Sequence, residues 1–435
     1  MTNKYHFGLR LGRVSRPNLT IISVALCLGS IITPVEANSD VVELLEDMQP
    51  LTLHQVHMDF DDFLRNINEA DLQRQARLLN SLAEQLDTIN ANLHAMSRCD
   101  AIALDDANFV MSIAEERLSL MRSYVQQPLS YEGSFANFND NSGWYQHWLR
   151  SWLQNDVAVD ELTRIAEYEL EQVERKRSLL ATTELPVLNG AIPRENSAAI
   201  VRQFRQREQI ILSHLATVIE TDFIPSPVKI VESTLPKSFP APGIYNPESR
   251  EFIYHLSTDE FPVKHMDWLF LHEAVPGHHY FSEFANSEVE CMGYQSPQGS
   301  TLFTEGWAAY VETLGHQLGV FTDKSSIEYA LDWQALRAVR VLLDIGIHTQ
   351  NWTDEEAAQV WMQYIPEQQD IMNREIARIR RWPVQVITYV YGKHRIEQSI
   401  HNALLQNEDL TQSRVHLAIL RLANFSLRSL NHLQW

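Results

Sequence analysis

LHEAVPGHHYF, residues 271–281, sets the terms on which the rest of the chain is read. His272 and Glu273 stand as in an H-E-x-x-H helix, in which two histidines one turn apart hold a metal ion and the glutamate acts on a bound water. The position of the second histidine is taken by Pro276, and histidines follow late, at His278 and His279. On a straight helix His278 lies about 240° round from His272. His279 returns to the same face but about 10.5 Å along the axis, so neither can share an ion with His272. Pro276 has no N–H for the His272 carbonyl and its ring clashes with that carbonyl, while Gly277 accepts backbone angles that other residues avoid. The helix is therefore expected to bulge or break directly after Glu273, which would bring His278 round to the metal and leave His279 beside it or at a cleft wall.

A third ligand is expected downstream. FTEGWAAYVETLG (303–315) carries Glu305 and Glu312 two turns apart on an otherwise apolar helix. Glu305 follows His278 by 27 residues, room for a loop and a return, and Glu312 could support a ligand from behind. LRAVRVLLDIGIHTQ (336–350) sets Arg337, Arg340, Asp344 and His348 on one helical stripe, opposite Leu336, Val339, Leu343 and Ile347. That stripe faces either water or a site, and Asp344 is spaced to orient the His348 ring. RRWPVQVITYVYGKHRIEQ (380–398) adds Gln385, Tyr389, Tyr391 and Lys393; a tyrosine near a metal can donate to a developing oxyanion.

The surroundings are those of a large, mainly α protein. The 435 residues are 45% hydrophobic and 21% charged, enough for a sizeable core. The net charge of −21 argues against nucleic acid as a partner, because phosphate binding needs clustered Lys and Arg. Residues 42–220 have helical periodicity, as in LQRQARLLNSLAEQLDTINANLHAM (72–96) and VDELTRIAEYELEQVERKRSLLA (159–181), with NEADLQRQ and NDVAVDEL as helix starts. The stretch 223–261 is Pro-rich and then β-like, with REFIYHLS (250–257) as a candidate edge strand. Helices are expected again at 262–275, 303–320, 326–350, 353–364, 367–381, 385–406 and 411–431. The regions expected are 38–222, helical, and 223–435, carrying the chemistry.

The first 37 residues have the order of a signal peptide: a basic start with Lys4, Arg10, Arg13 and Arg16, the uncharged run LTIISVALCLGSIIT, and a small-x-small site at Val35-Glu36-Ala37. This points to export, periplasmic or secreted, with no membrane partner after cleavage. Ala25-Leu26 before Cys27 does not suit lipoprotein processing. Cys99 and Cys291 are left, and in an oxidising compartment they could pair.

HEAVPGHH, TEGWAAYVE, LRAVRVLLDIGIHTQNWTDEEA and WPVQVITYVYGK occur in the order found in the bacterial domain of unknown function 885 family, which the chain resembles over roughly residues 240–405. That family is similar to distant gluzincin-like metallopeptidases of the thimet-oligopeptidase and Taq-carboxypeptidase types. The resemblance implies a large helical fold with a deep cleft, a small β element before the metal helix, and one zinc ion. It implies His272, His278 and Glu305 as ligands and Glu273 as general base, with Asp344, His348, Gln385 and Tyr389 as cleft residues. On chemistry, Tyr389 and His348 are oxyanion donors, and His279, Glu312, Arg340, Asp344, Gln385, Tyr391 and Lys393 line or support the site. Phe281 replaces a common Gln, and VHLAIL (415–420) lacks the usual acid after its histidine. The expected activity is hydrolysis of short peptides. An amidase with the same site, or a silent exported scaffold, are the competing expectations.

Overall fold

The computed structural model describes residues 37–52, 59–92, 96–138, 141–239, 241–299 and 301–435; the expected signal segment, apart from Ala37, lies outside them. The periodic apolar runs of the first half become α1 (Ser39–Asp47), α2 (Phe60–Arg65), α3 (Glu69–Asn92), α4 (Arg98–Gln126), α5 (Asn141–Leu153), α6 (Val159–Thr182) and α7 (Ser197–Val218). The expected start at NEADLQRQ forms with the Asn68 side chain accepting from the Asp71 amide. At NDVAVDEL the helix begins later, after Ala158, because the Asn155 side chain is engaged elsewhere, donating to Tyr391 Oη.

The Pro-rich break folds into two small sheets. Strands β1 (Ala191–Pro193), β2 (Lys229–Glu232), β3 (Gly243–Asn246), β4 (Glu251–Tyr254) and β5 (Glu260–Pro262) pair as β1–β5, antiparallel, and as β2–β4–β3, with β4 parallel to β2 and antiparallel to β3. REFIYHLS is thus the central strand of its sheet and not an edge. Phe252 and Tyr254 alternate inward and are buried against the aromatic face of α7, where Phe204 sits edge-on to Phe252 at 4.9 Å. The pairing of β1 with β5 joins the chain on both sides of residue 222, and one continuous core contains side chains from both regions.

Eight helices follow: α8 (Met266–Glu273), α9 (His278–Ser287), α10 (Thr301–Val311), α11 (Lys324–Gln350), α12 (Asp354–Tyr364), α13 (Gln369–Arg381), α14 (Thr388–Gln406) and α15 (Gln412–Leu420). The expected helix 303–320 ends at Val311 and passes into a 3-10 turn at Glu312–Leu314. The expected helix 411–431 stops at Leu420. There the Asn424 side chain donates to the Cys291 and Tyr294 carbonyls, and the Ser426 amide goes to Asp106, bonds that compete with a helical backbone.

Two helix pairs position the site. Helix α11 packs along α6, and α10 packs along α14. The second pair meets glycine to glycine: a Cβ on Gly306 would lie 2.6 Å from Gly392 Cα. Nothing larger fits there, so the two small residues set how near α10, and the Glu305 it carries, comes to α14. Over residues 335–348 helix α11 is buried on nearly every side, since Arg337, Arg340, Asp344 and His348 are as enclosed as the apolar face opposite them. A water-facing charged stripe is therefore excluded, and each charged member has its own partner.

Candidate metal centre

The break after His272-Glu273 is the local event that builds the site. Helix α8 ends at Glu273; the Ala274 and Val275 amides both turn back to the Phe270 carbonyl, and Pro276 has no amide to continue the series. The Val275–Pro276 peptide is cis. Helix α9 then starts at His278, with the Phe281 amide on the Gly277 carbonyl. Gly277 passes so close to the end of α8 that a Cβ would stand 1.9 Å from the His272 carbonyl oxygen. Trp307 Nε1 donates to the Pro276 carbonyl at 2.8 Å, which ties the break to α10 beside Glu305.

His272, His278 and Glu305 converge, each offering one atom within 4.8 Å of the others. Glu305 Oε2 lies 3.5 Å from His278 Nε2 and 3.8 Å from His272 Nε2. Ligand atoms around a tetrahedral zinc, at about 2.0–2.2 Å from the ion, stand about 3.3–3.5 Å apart, so the two Glu305 distances are close to those of a bound ion. Glu305 Oε2 is buried and, among the described residues, has no hydrogen-bond partner, the condition a cation would relieve. Burial alone would raise the Glu305 pKa, but the nearby His278, with the charges of His272 and Arg337, holds it at about 2. For His278 burial acts downward, and the carboxylates of Glu305 and Glu273 outweigh it and raise the pKa. These residues fit a divalent ion bound by two nitrogens and an oxygen.

His272 is oriented from behind. Its Nδ1 donates to Glu312 at 2.6 Å, which leaves the Nε2 lone pair facing Glu305. Arg337 holds both Glu312 oxygens, at 2.7 and 2.5 Å. Burial would raise the Glu312 pKa, but Arg337 and His272 lower it. The Trp268 ring stacks on His272 at 5.6 Å and on Trp333 at 4.4 Å, and the Arg337 guanidinium lies 5.1 Å from the Tyr389 ring centroid.

The remaining sequence-expected residues divide. Glu273 is buried next to His272 and close enough for its charge to act on His278. Tyr389 is half-buried, reached by Gln385 Nε2 at 3.5 Å, and borders the cluster through Arg337. His279 is turned away: Nε2 donates to the Ser226 carbonyl at 2.7 Å and Nδ1 accepts from Tyr245 Oη at 3.1 Å. The ring thus anchors α9 to the sheet and touches no ligand.

Asp344 does not orient His348. It accepts from Tyr145 Oη at 2.9 Å and from the Val384 amide at 2.7 Å. His348 Nε2 donates to the Ile379 carbonyl at 3.2 Å, with the ring fully enclosed by Tyr131, Phe135 and Tyr145. Burial lowers its pKa to about 3, so it is a neutral core residue out of reach of any substrate. Arg340 pairs with Glu375, Tyr391 Oη accepts from Asn155, and Lys393 is bound by Glu169 and Glu397; none of them touches the cluster.

His278 and Glu305 open onto a cleft of about 470 Å³ that sequence reasoning did not assemble. Its walls include Tyr245 of β3, Asn286, Thr304 and Asn424, drawn from four distant segments. Asn424 Oδ1 is without a partner there. The loop between α9 and α10 that forms one wall is stapled to α4 by the Cys99–Cys291 disulfide, so the two mature cysteines do pair. The sequence signal for Trp268 was a Trp one turn before His272; Arg337 was visible only as a member of the charged stripe on 336–350.

A model of the family described as "Bacterial protein of unknown function (DUF885)" matches residues 110–432. A search of curated proteins finds no match. Among solved structures, a "putative lipoprotein" from Colwellia psychrerythraea is similar at 17% identity and TM-score 0.56, over 85% of this chain and 68% of that one. A "putative lipoprotein of unknown function" from Shewanella oneidensis is similar at 16% identity and TM-score 0.50, over 81% of this chain and 72% of that one. At these identities the likeness is one of fold.

Proposed function

This chain belongs to that family of bacterial proteins of unknown function, and on that premise we propose that it is an exported, metal-dependent hydrolase of peptide bonds, with zinc as the ion. The observation that carries the reading is the convergence of His272, His278 and Glu305 around a partnerless buried carboxylate oxygen, with Glu273 alongside. A silent scaffold has no use for two imidazoles and a carboxylate gathered at the edge of an open cleft, where each costs desolvation.

Bound there, zinc supplies a water of pKa about 7 and polarises the scissile carbonyl. Glu273 takes the proton of the attacking water and returns it to the leaving nitrogen. Glu312 and Arg337 hold the His272 ring in one tautomer and orientation. These contacts assign no oxyanion donor: His348 is sealed in the core, and Tyr389 lines the cavity bordered by Arg337 and not the cleft at His278.

Peptide as substrate is supported by the sheet. Among the described residues β3 is paired on one side only, and its Tyr245 lines the cleft beside His278. An extended segment can add to such an edge by main-chain hydrogen bonds. The amide and hydroxyl side chains of that cleft would equally serve a non-peptide amide, the second reading. Export is supported by the basic-then-apolar N-terminus, by the disulfide, and by the lipoprotein names of the structural neighbours.

The test is metal analysis of the purified protein, followed by digestion of a peptide library by the wild type and Glu273→Gln. A stoichiometric divalent ion in both, with turnover reduced about 10²- to 10⁴-fold in the variant, is expected. Protein without tightly bound metal would overturn the reading. Hydrolysis of simple amides but of no peptide would favour the amidase.

A further inference from the structure

A second cavity of about 290 Å³ lies on the other side of the Glu312–Arg337 pair and shares no lining residue with the cleft at His278. Its walls are largely apolar, with Leu180 of α6, Phe321 just before α11, Ile327 and Leu331 of α11, and Val390 of α14. Two sets of paired charges border it: Lys393 is bound by both Glu169 and Glu397, and Arg337 by Glu312. Lys176 is different. It lines the cavity, and among the described residues its Nζ meets only the neutral Gln334 Oε1, at 3.3 Å. Leu179, one helical turn on from Lys176, also lines the cavity and is 68% exposed. A lone exposed leucine is ordinary. Here it forms the lip of an apolar cavity, next to an ammonium group that, among the described residues, makes no direct ion pair; the carboxylates of Glu169 and Glu397 act on it only from a distance.

We infer that this cavity binds a single-chain amphiphile, with its aliphatic tail between α6, α11 and α14 and its carboxylate head on Lys176 at the mouth. The volume holds about ten water-sized groups at about 30 Å³ each, which suits a medium-length chain. Burial of the tail supplies the drive, and the lysine selects an anionic head over a neutral one. The inner end is floored by Glu312, Arg337 and Tyr389, so an occupied cavity rests against the groups that hold His272. Binding itself needs no metal and is independent of the hydrolase reading.

The experiment is calorimetric titration of the full chain with octanoate and with 1-octanol, repeated after chelator treatment. Saturable one-to-one octanoate binding is expected in both states. Lys176→Met should weaken octanoate several-fold and leave 1-octanol unchanged. Ala330→Trp, which fills the cavity from its wall, should abolish both, with Leu331→Gln as the second wall variant if the first does not melt cooperatively. Absence of saturable binding, octanoate affinity unaffected by Lys176→Met, or undiminished binding in a folded wall variant would each overturn the inference.

Discussion

Glu312→Gln separates the support of the metal centre from its ligands. The glutamine keeps the shape of the side chain and removes its charge. In the native protein the carboxylate meets His272 Nδ1 at 2.6 Å and Arg337 at 2.5 and 2.7 Å, with all three side chains 6–7% exposed. Two effects follow. Arg337 loses its counter-charge in the interior, and breaking a buried pair from one side costs about 3–5 kcal/mol. The His272 ring exchanges an anionic acceptor for a weaker neutral one that can also present an N–H, and such changes weaken metal binding about 10- to 100-fold, or about 1.4–2.8 kcal/mol.

The two effects are read separately, by denaturant unfolding of the metal-free protein and by competition with a chromophoric chelator. Glu312→Gln/Arg337→Met should recover much of the stability, because no orphaned charge remains, and should not recover the metal affinity. The pH dependence has a definite sign. The folded pKa of Glu312 is depressed below its ordinary value of 4.5, so the pair's contribution is fully present above that pH and is lost as pH falls through the folded value. The stability gap between wild type and Glu312→Gln should therefore be constant from pH 5 to 8 and close in acid. A variant that binds metal as tightly as the wild type would refute the argument for orientation from behind.

Other outcomes follow from single residues. Gly277→Ala places a methyl 1.9 Å from the His272 carbonyl and 2.3 Å from that of Leu271, both backbone atoms that cannot yield cheaply. It should cost upwards of about 1–3 kcal/mol and abolish tight metal binding, as read by unfolding and chelator competition. Asp344, raised by burial from 3.8 to about 7, stabilises most when protonated. Stability should thus fall from about pH 4 to 7 by at most about 1.4 kcal/mol per pH unit on its account, and urea titrations of Asp344→Asn should show a flatter profile. The Cys99–Cys291 bridge spans 192 residues, and its reduction should cost about 2–5 kcal/mol. A denaturant midpoint indifferent to reductant would count against that.

Helix class and most helix positions were legible because three- and four-residue apolar spacing is a local property, and α11, α12 and α13 lie within two residues of the expected bounds. Ends set by distant partners were not. The last helix stops early because Asn424 and Ser426 are held by Cys291, Tyr294 and Asp106 from other parts of the chain. β4 looked like an edge because pairing is not written in one strand's alternation; only the return of β2 and β3 to its two sides made it central.

The site divides the same way. That the helix must stop after Glu273 follows from Pro276 alone, because a missing amide and a clashing ring act on the residue four places back wherever the helix sits. Which histidine then faces Glu305 depends on how α9 docks, and His279 was taken up by Ser226 and Tyr245 on the sheet side. The stripe on α11 has the same lesson in a sharper form. Periodicity aligned Arg337, Arg340, Asp344 and His348, but a buried helical segment meets a different neighbour at each turn, and so only Arg337 reached the metal ligands. Local covalent geometry made the break; long-range packing chose what it faces.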